Sequence, residues 1–189
     1  MVHTKFSSGR QLMLECLALL SWGGFSFGAD HAVIVSWKAG NPYSDSFFYN
    51  GYPYHTIRIS DIDESGFAIS IGVAPMADHG CPGPGMHCTT NLTIVRNDGN
   101  IPFDVRADSI ECLCASKKPK RLTRYTFPKY LRSAIPPGRL LLANTVNPGG
   151  STSGGIIFSG QCNDYSLRIP IDVKGERMIF DFPVSPTAP

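Results

Sequence analysis

The chain has 189 residues and carries 17 basic against 15 acidic side chains, a near-balance that excludes binding driven by whole-surface charge, such as a non-specific hold on nucleic acid. Charged residues make up only 17% and hydrophobic ones 42%, which excludes a disordered polar chain and leaves enough apolar material for one ordinary core. Its 19 Gly and 15 Pro are spread along the chain as turn punctuation rather than gathered in one linker.

The N-terminal end holds Lys5 and Arg10, then an apolar run from Leu12 to Trp22 broken by Glu15, Cys16 and Ser21, then the small residues around Ser26-Phe27-Gly28-Ala29. A basic start, a short apolar stretch and a small-residue end form the pattern of a secretory signal peptide. Residues 1–29 are therefore expected to be a leader and 30–189 a single domain. The apolar run is shorter than the roughly 20 residues that span a bilayer, and no later stretch is long enough either. The expected location is secreted or at the cell surface, reached through the periplasm in a bacterium.

Ala32 to Trp37 alternates, with Val33, Val35 and Trp37 on one face, and stops at Gly40-Asn41-Pro42. Such a strand can begin its own sheet or swing out to pair with another subunit's open edge. Tyr43 to Tyr54 holds six aromatic residues interrupted by Asn50-Gly51 and Pro53, so it is expected to be a hairpin or loop over the core edge. Exposed aromatic faces suit binding sites, which makes Tyr49, Tyr52 and Tyr54 the ligand candidates.

His55 to Ser60 and Phe67 to Val73 read as strands around the acidic turn Asp61 to Gly66. That turn lacks the spacing of a twelve-residue calcium loop and reads as solvated. Asn91 to Arg96 and Ile101 to Ala107 flank Asn97-Asp98-Gly99-Asn100, a hairpin signal. Asn91-Leu92-Thr93 is also a glycosylation sequon, relevant for a eukaryotic source. Ser109 to Ala115 and Leu122 to Phe127 bracket a basic run, Ser116 to Arg121, which reads as a charged hairpin tip that keeps an edge soluble. Arg139 to Ala143 and Gly155 to Ser159 are further strands, joined by a flexible segment from Asn147 to Gly154.

Tyr165 to Val184 carries the clearest signal. With the turn at Lys174-Gly175, Val173 faces Glu176, Ile171 faces Met178, Ile169 faces Phe180, Leu167 faces Phe182 and Tyr165 faces Val184. The apolar pairs share one face, and Gly at the second turn position accepts the positive φ of a two-residue turn. A hairpin cannot bury such a face alone, so a second layer is required. About ten short strands with no amphipathic helix give an all-β sandwich or barrel.

Cys81, Cys88, Cys112, Cys114 and Cys162 follow the leader and are disulfide candidates in an exported protein. Cys81 and Cys88 are expected to pair across the Pro82-Gly83-Pro84-Gly85 turn. Cys112 and Cys114 point to one face and pair poorly with each other, so one of them is expected to meet Cys162.

His79 and His87 beside Cys81 and Cys88 would suit a tetrahedral zinc site, but oxidation removes the thiolates that zinc needs. Metal is therefore the lesser expectation, and no cofactor is implied. An N-terminal copper site at His31 would require cleavage after Asp30, against the small-residue rule. Ser151 and Ser153 lack the order and setting of a hydrolase elbow. Nothing assembles a nucleophile, base and oxyanion donor, so a non-enzymatic protein is expected.

An exported β-domain with an alternating N-terminal strand, Val33-Ile34-Val35-Ser36-Trp37, and an alternating C-terminal strand, Met178 to Val184, resembles in its layout the bacterial pilus subunits of the chaperone/usher type. The resemblance implies an incomplete immunoglobulin-like sandwich completed by a neighbour's N-terminal strand. It also implies a structural or adhesive subunit of a pilus or fimbria, with Val33, Val35 and Trp37 exchanged and with other subunits or a periplasmic chaperone as partners. Two alternatives stand beside it. One is a free secreted module that binds a glycan or host protein through Tyr43 to Tyr54, and the other a small secreted enzyme or metal protein using His79 and His87.

Overall fold

The computed structural model describes residues 32–49, 52–61, 63–76, 88–115, 120–125 and 139–185. The chain divides by its contacts after Asp30, and every described residue belongs to the unit His31–Pro189.

Among the described residues there are twelve strands: β1 (Val33–Ser36), β2 (Ser44–Tyr49), β3 (Tyr52–Asp61), β4 (Phe67–Met76), β5 (Cys88–Asn97), β6 (Phe103–Val105), β7 (Glu111–Cys114), β8 (Lys120–Arg124), β9 (Asn144–Val146), β10 (Ser151–Ser159), β11 (Tyr165–Val173) and β12 (Glu176–Val184). They hydrogen-bond as one sheet in the order β1-β12-β11-β7-β8-β10-β5-β4-β3-β2, with β6 on β11 and β9 on β6. β8 is the corner, because Lys120 to Leu122 pair with β7 while Thr123 and Arg124 pair with β10. The sheet thus folds over itself into a disulfide-bonded β-sandwich, with β4 in contact with β12 across the layers.

The β11–β12 hairpin has the register its alternation dictates, from Tyr165 opposite Val184 to Val173 opposite Glu176. Lys174 at φ 50° and Gly175 at φ 86° turn the chain with the twist that two-residue hairpins favour. Leu167, Ile169, Ile171, Phe180 and Phe182 are fully buried, each contributing roughly 1.5–3 kcal/mol relative to exposure. Their cover is the opposite layer's Ile57, Ile69, Ile71, Val73, Val95, Ile156 and Phe158.

Three expectations from the sequence do not hold. Asn97 to Asn100 is not a hairpin turn between paired strands, since β5 pairs with β4 and β10 whereas β6 pairs with β11 and β9. The Asn97 amide group instead donates to Ile101 O at 2.8 Å and Val146 O at 2.9 Å, which turns the chain into the other layer. Asp98 N and Asn100 N are taken up by Ala68 O and Gly66 O.

Residues 151–154 are not part of a flexible loop. They are the first half of β10 and pair with Arg96 to Thr93 of β5, so only Asn147 to Gly150 form the turn. Nor is Arg139 to Ala143 a regular strand. It crosses β10 as a single parallel bridge, Leu140 to Gly155, where Leu141 N donates to Gly155 O at 3.0 Å and Gly155 N to Arg139 O at 2.8 Å. Glycine makes this crossing possible, because a Cβ on Gly154 would lie 2.3 Å from the Leu140 and Leu141 backbone.

Candidate functional site

Among the described residues β1 is the last strand of the sheet order. It runs parallel to β12, Val33 opposite Met178 through Ser36 opposite Asp181, and Trp37 N extends the pairing to Asp181 O at 2.8 Å. The next contacts reach the strand at the far end of the sheet order: Trp37 Nε1 donates to Asp45 O of β2 at 2.9 Å, and Lys38 N donates to Ser44 Oγ at 3.2 Å. Trp37 therefore joins the two ends of the curled sheet, its main chain held by one and its indole N–H by the other. The indole ring lies 4.2 Å from the His55 ring of β3 at 52°. Burial lowers the His55 pKa below its ordinary value, and Nδ1 is enclosed with no hydrogen-bond partner among the described residues.

Val33, Val35 and Trp37, which alternate along β1, are unequally covered. Val35 and Trp37 pack on the core, but Val33 is 46% exposed and its neighbour Ile34 51%. Successive residues of a strand point to opposite faces, so β1 shows apolar surface on both.

The aromatic segment is the β2–β3 hairpin, with Tyr49 directly opposite Tyr52 and Phe47 opposite Tyr54. Tyr54 is half-buried and lies against Gly72 of β4, so closely that a Cβ there would stand 2.1 Å from the phenol oxygen. Its packing fills the space that Gly72 leaves, and burial raises its pKa. Tyr43, just before the hairpin, is exposed.

Cys114 is bonded to Cys162, and Cys112 is free and fully buried. The structure thus decides between the two cysteines that the sequence left open as partners of Cys162. Cys88 is disulfide-bonded. Cys81, His79, His87 and His31 lie outside the described residues, so the expected Cys81–Cys88 pairing and both metal alternatives do as well. Among the described residues no group of three or more His, Cys, Asp or Glu could hold a metal ion. Ser151 and Ser153 are strand residues opposite Arg96 and Ile94. A shallow polar depression of about 370 Å³, lined by Ala115, Gln161, Cys162, Asn163 and Asp164, adjoins the disulfide and brings together no catalytic set.

Sequence reasoning missed the polar residues that organise the interior. Asn91 is fully buried, accepting from Tyr165 Oη of β11 at 2.5 Å, while its Nδ2 and the neighbouring Thr93 Oγ1 have no partner among the described residues. Both ends of the Asn91-Leu92-Thr93 sequon are inaccessible, which removes it as a glycosylation site of the folded chain. Arg124 donates to Ala107 O, and to Leu141 O at 3.0 Å, tying the corner strand to the turn between β6 and β7 and to the segment that crosses β10. The signal in the sequence was the period-two row Asn91, Thr93, Val95, Asn97 on a buried face. Polar types there look like an outward face, so only the packing reverses the assignment.

Among the described residues no helix is long and apolar enough to cross a membrane. No protein-family model and no curated protein matches the chain. Solved structures similar to it include the following two. A presumed lipoprotein from Bacillus subtilis subsp. subtilis is 13% identical with a TM-score of 0.41, the match covering 76% of this chain and 38% of that one. An uncharacterized β-sandwich protein from Clostridium difficile is 6% identical with a TM-score of 0.25, covering 84% of this chain and 99% of that one. This chain therefore spans well under half the length of the first, and at these scores neither likeness assigns an activity.

Proposed function

We propose that the chain is an exported, non-enzymatic structural or adhesive subunit that joins other protein subunits by main-chain strand exchange at the β1–β12 edge, at the cell surface or in secreted form. The observation that carries this reading is the edge itself. β1 is short but carries neither the charge nor the proline that commonly blunts an edge strand: it is an uncharged Val-Ile-Val-Ser edge with Val33 46% and Ile34 51% exposed. Pairing with another subunit would bury both side chains and satisfy the outer main chain of the strand. The leader pattern of residues 1–29 supports export.

The test compares the wild-type chain with Val33→Lys/Ile34→Lys by sedimentation across a wide concentration range, alone and with neighbouring subunits co-expressed. Because both residues are exposed, the variant should keep the wild-type thermal transition and lose assembly. A wild-type chain that stays monomeric throughout, or a lysine variant that assembles equally, overturns the proposal.

A second reading has its own support. The β2–β3 hairpin places its aromatic residues at the opposite end of the sheet order, next to the exposed Tyr43, as a free binding module would. Under it, Tyr49→Ala/Tyr52→Ala abolishes binding to a glycan or host protein at unchanged stability. A large loss of stability would instead mark the hairpin as core packing.

A further inference from the structure

We propose that the Trp37–His55 contact is an acid-sensitive latch that holds β1 in its own sheet and releases it when His55 takes up a proton. Release is an event within one chain; its use in assembly rests on the strand-exchange reading above.

The argument is geometric. β1 has only four residues on β12, and beyond them Trp37 is held by its main-chain N on Asp181 O and its indole N–H on Asp45 O, with Lys38 N on Ser44 Oγ. The ring against that indole is His55, its centroid 4.2 Å away and its plane tilted by 52°. In the neutral ring with the proton on Nε2, the enclosed Nδ1 presents only a lone pair, which is tolerable without a partner. The imidazolium carries N–H on both nitrogens, and no described residue accepts from Nδ1. The enclosed Nδ1–H would be a buried donor without a partner, and the half-buried ring would carry a charge that is only partly solvated; both costs fall on the protonated form. Attraction of the cation to the indole face opposes this cost. Burial lowers the His55 pKa below the ordinary 6.5, the direction that the enclosed Nδ1 also favours.

The neighbouring elements offer no relief at the ring. His55 lies opposite Ser46 of β2 and Val73 of β4, neither of which titrates. The other titratable and charged groups on the elements that meet here are Asp45 and Tyr49 on β2, Lys38 after β1, Tyr52, Tyr54, Arg58 and Asp61 on β3, and Glu176, Arg177 and Asp181 on β12; β4 carries none. Asp45 accepts from Ser46 N at 2.8 Å, and Asp181 is engaged by Ser166 and by Arg168 at 3.7 Å. The chain's other histidines, His3, His31, His79 and His87, lie outside the described residues.

The sign follows from linkage. A histidine with a depressed pKa in the closed form binds fewer protons there than in the open form, so the latch is intact above about pH 6.5 and weakens as pH falls. The experiment is amide hydrogen exchange at monomeric concentration, read as protection factors so that intrinsic pH effects cancel. Between pH 7.5 and 5.5, protection of the Val35 and Trp37 amides should fall several-fold, with a ceiling of about ten-fold because the open-state imidazole titrates near 6.5. In His55→Phe, protection should stay level. Constant protection in the wild type, or an equal fall in the variant, overturns the latch. If the variant does not fold, NMR titration of the wild-type His55 ring decides. A midpoint below 6.5 that tracks loss of protection supports the latch, and any other midpoint overturns it. Since no assembly is measured, failure here is distinct from failure of the strand-exchange proposal.

Discussion

The phenol of Tyr165 donates to Oδ1 of Asn91 over 2.5 Å, and this bond crosses the interior from β11 in one layer to β5 in the other. Both residues are buried, at 4% and 0% exposure, so neither group has water to fall back on. Burial raises the Tyr165 pKa, with the nearby Cys112 adding to it and the Asn91 bond opposing it. The phenol therefore stays a donor at all ordinary pH values.

Tyr165→Phe should cost about 1–3 kcal/mol, because it leaves a buried carbonyl oxygen unpaired while keeping the ring's packing. Urea unfolding followed by far-UV circular dichroism measures it. Tyr165→Phe/Asn91→Leu should lose clearly less than the sum of the two single changes, since the double variant removes both members of the bond. Additive losses would mean that the contact stabilises little.

Cys112 should be inert in the folded protein. Burial pushes its thiol up to about 12. At pH 8 the thiolate fraction is then on the order of 10⁻⁴. Peptide mapping after iodoacetamide treatment should find residue 112 unlabelled in buffer and labelled in denaturant. The raised pKa also sets a sign: the folded state keeps a proton that the unfolded thiol gives up. Its contribution to stability is present below about pH 9 and is lost as pH rises from there toward 12. Cys112→Ala should flatten that alkaline decline, and an unchanged slope would refute the assignment.

Gly154→Ala should destabilise by about 3 kcal/mol or more, because its Cβ would stand 2.3 Å from the Leu140 and Leu141 backbone, which is fixed by the bridge to β10. Gly72→Ala meets a side chain instead, the Tyr54 ring. Its cost should be smaller, and Tyr54→Ala in the same chain should relieve the clash. Thermal melts of the three variants check the ranking. Equal costs for the two glycine changes would show that the crossing over Gly154 can shift.

Asn97→Ala should cost about 2–3 kcal/mol, since Ile101 O and Val146 O lose their donors and Gly99 N its acceptor. Loss of hydrogen-exchange protection should concentrate at β9 and the 98–101 crossing. A uniform loss across the sheet would argue against a local tie.

The all-β class, the β11–β12 register and the β7–β8 hairpin were legible in the residues, because each rests on local alternation and turn chemistry that hold wherever the strands are packed. The Tyr43 to Tyr54 hairpin was legible for the same reason. The choice of Cys114 over Cys112 as partner of Cys162 was not, since both share a face and only the placement of β11, with Tyr165 opposite Cys114, brings Cys162 to one of them. The crossing after Asn97 was misread as a hairpin, because its turn residues would be the same in either case. What decides it is that β5 is already paired on both edges, by β4 and β10. The glycines of β10 looked like a loop because glycine is costly in a strand, and their reason lies in a segment more than ten residues earlier that must cross there. The sequence by itself determined which residues alternate and where the chain turns, since both depend on neighbours along the chain. Which edges meet at Trp37, which polar side chains go inside and which cysteine is bonded were decided only by the tertiary structure, because each depends on what a distant strand places opposite.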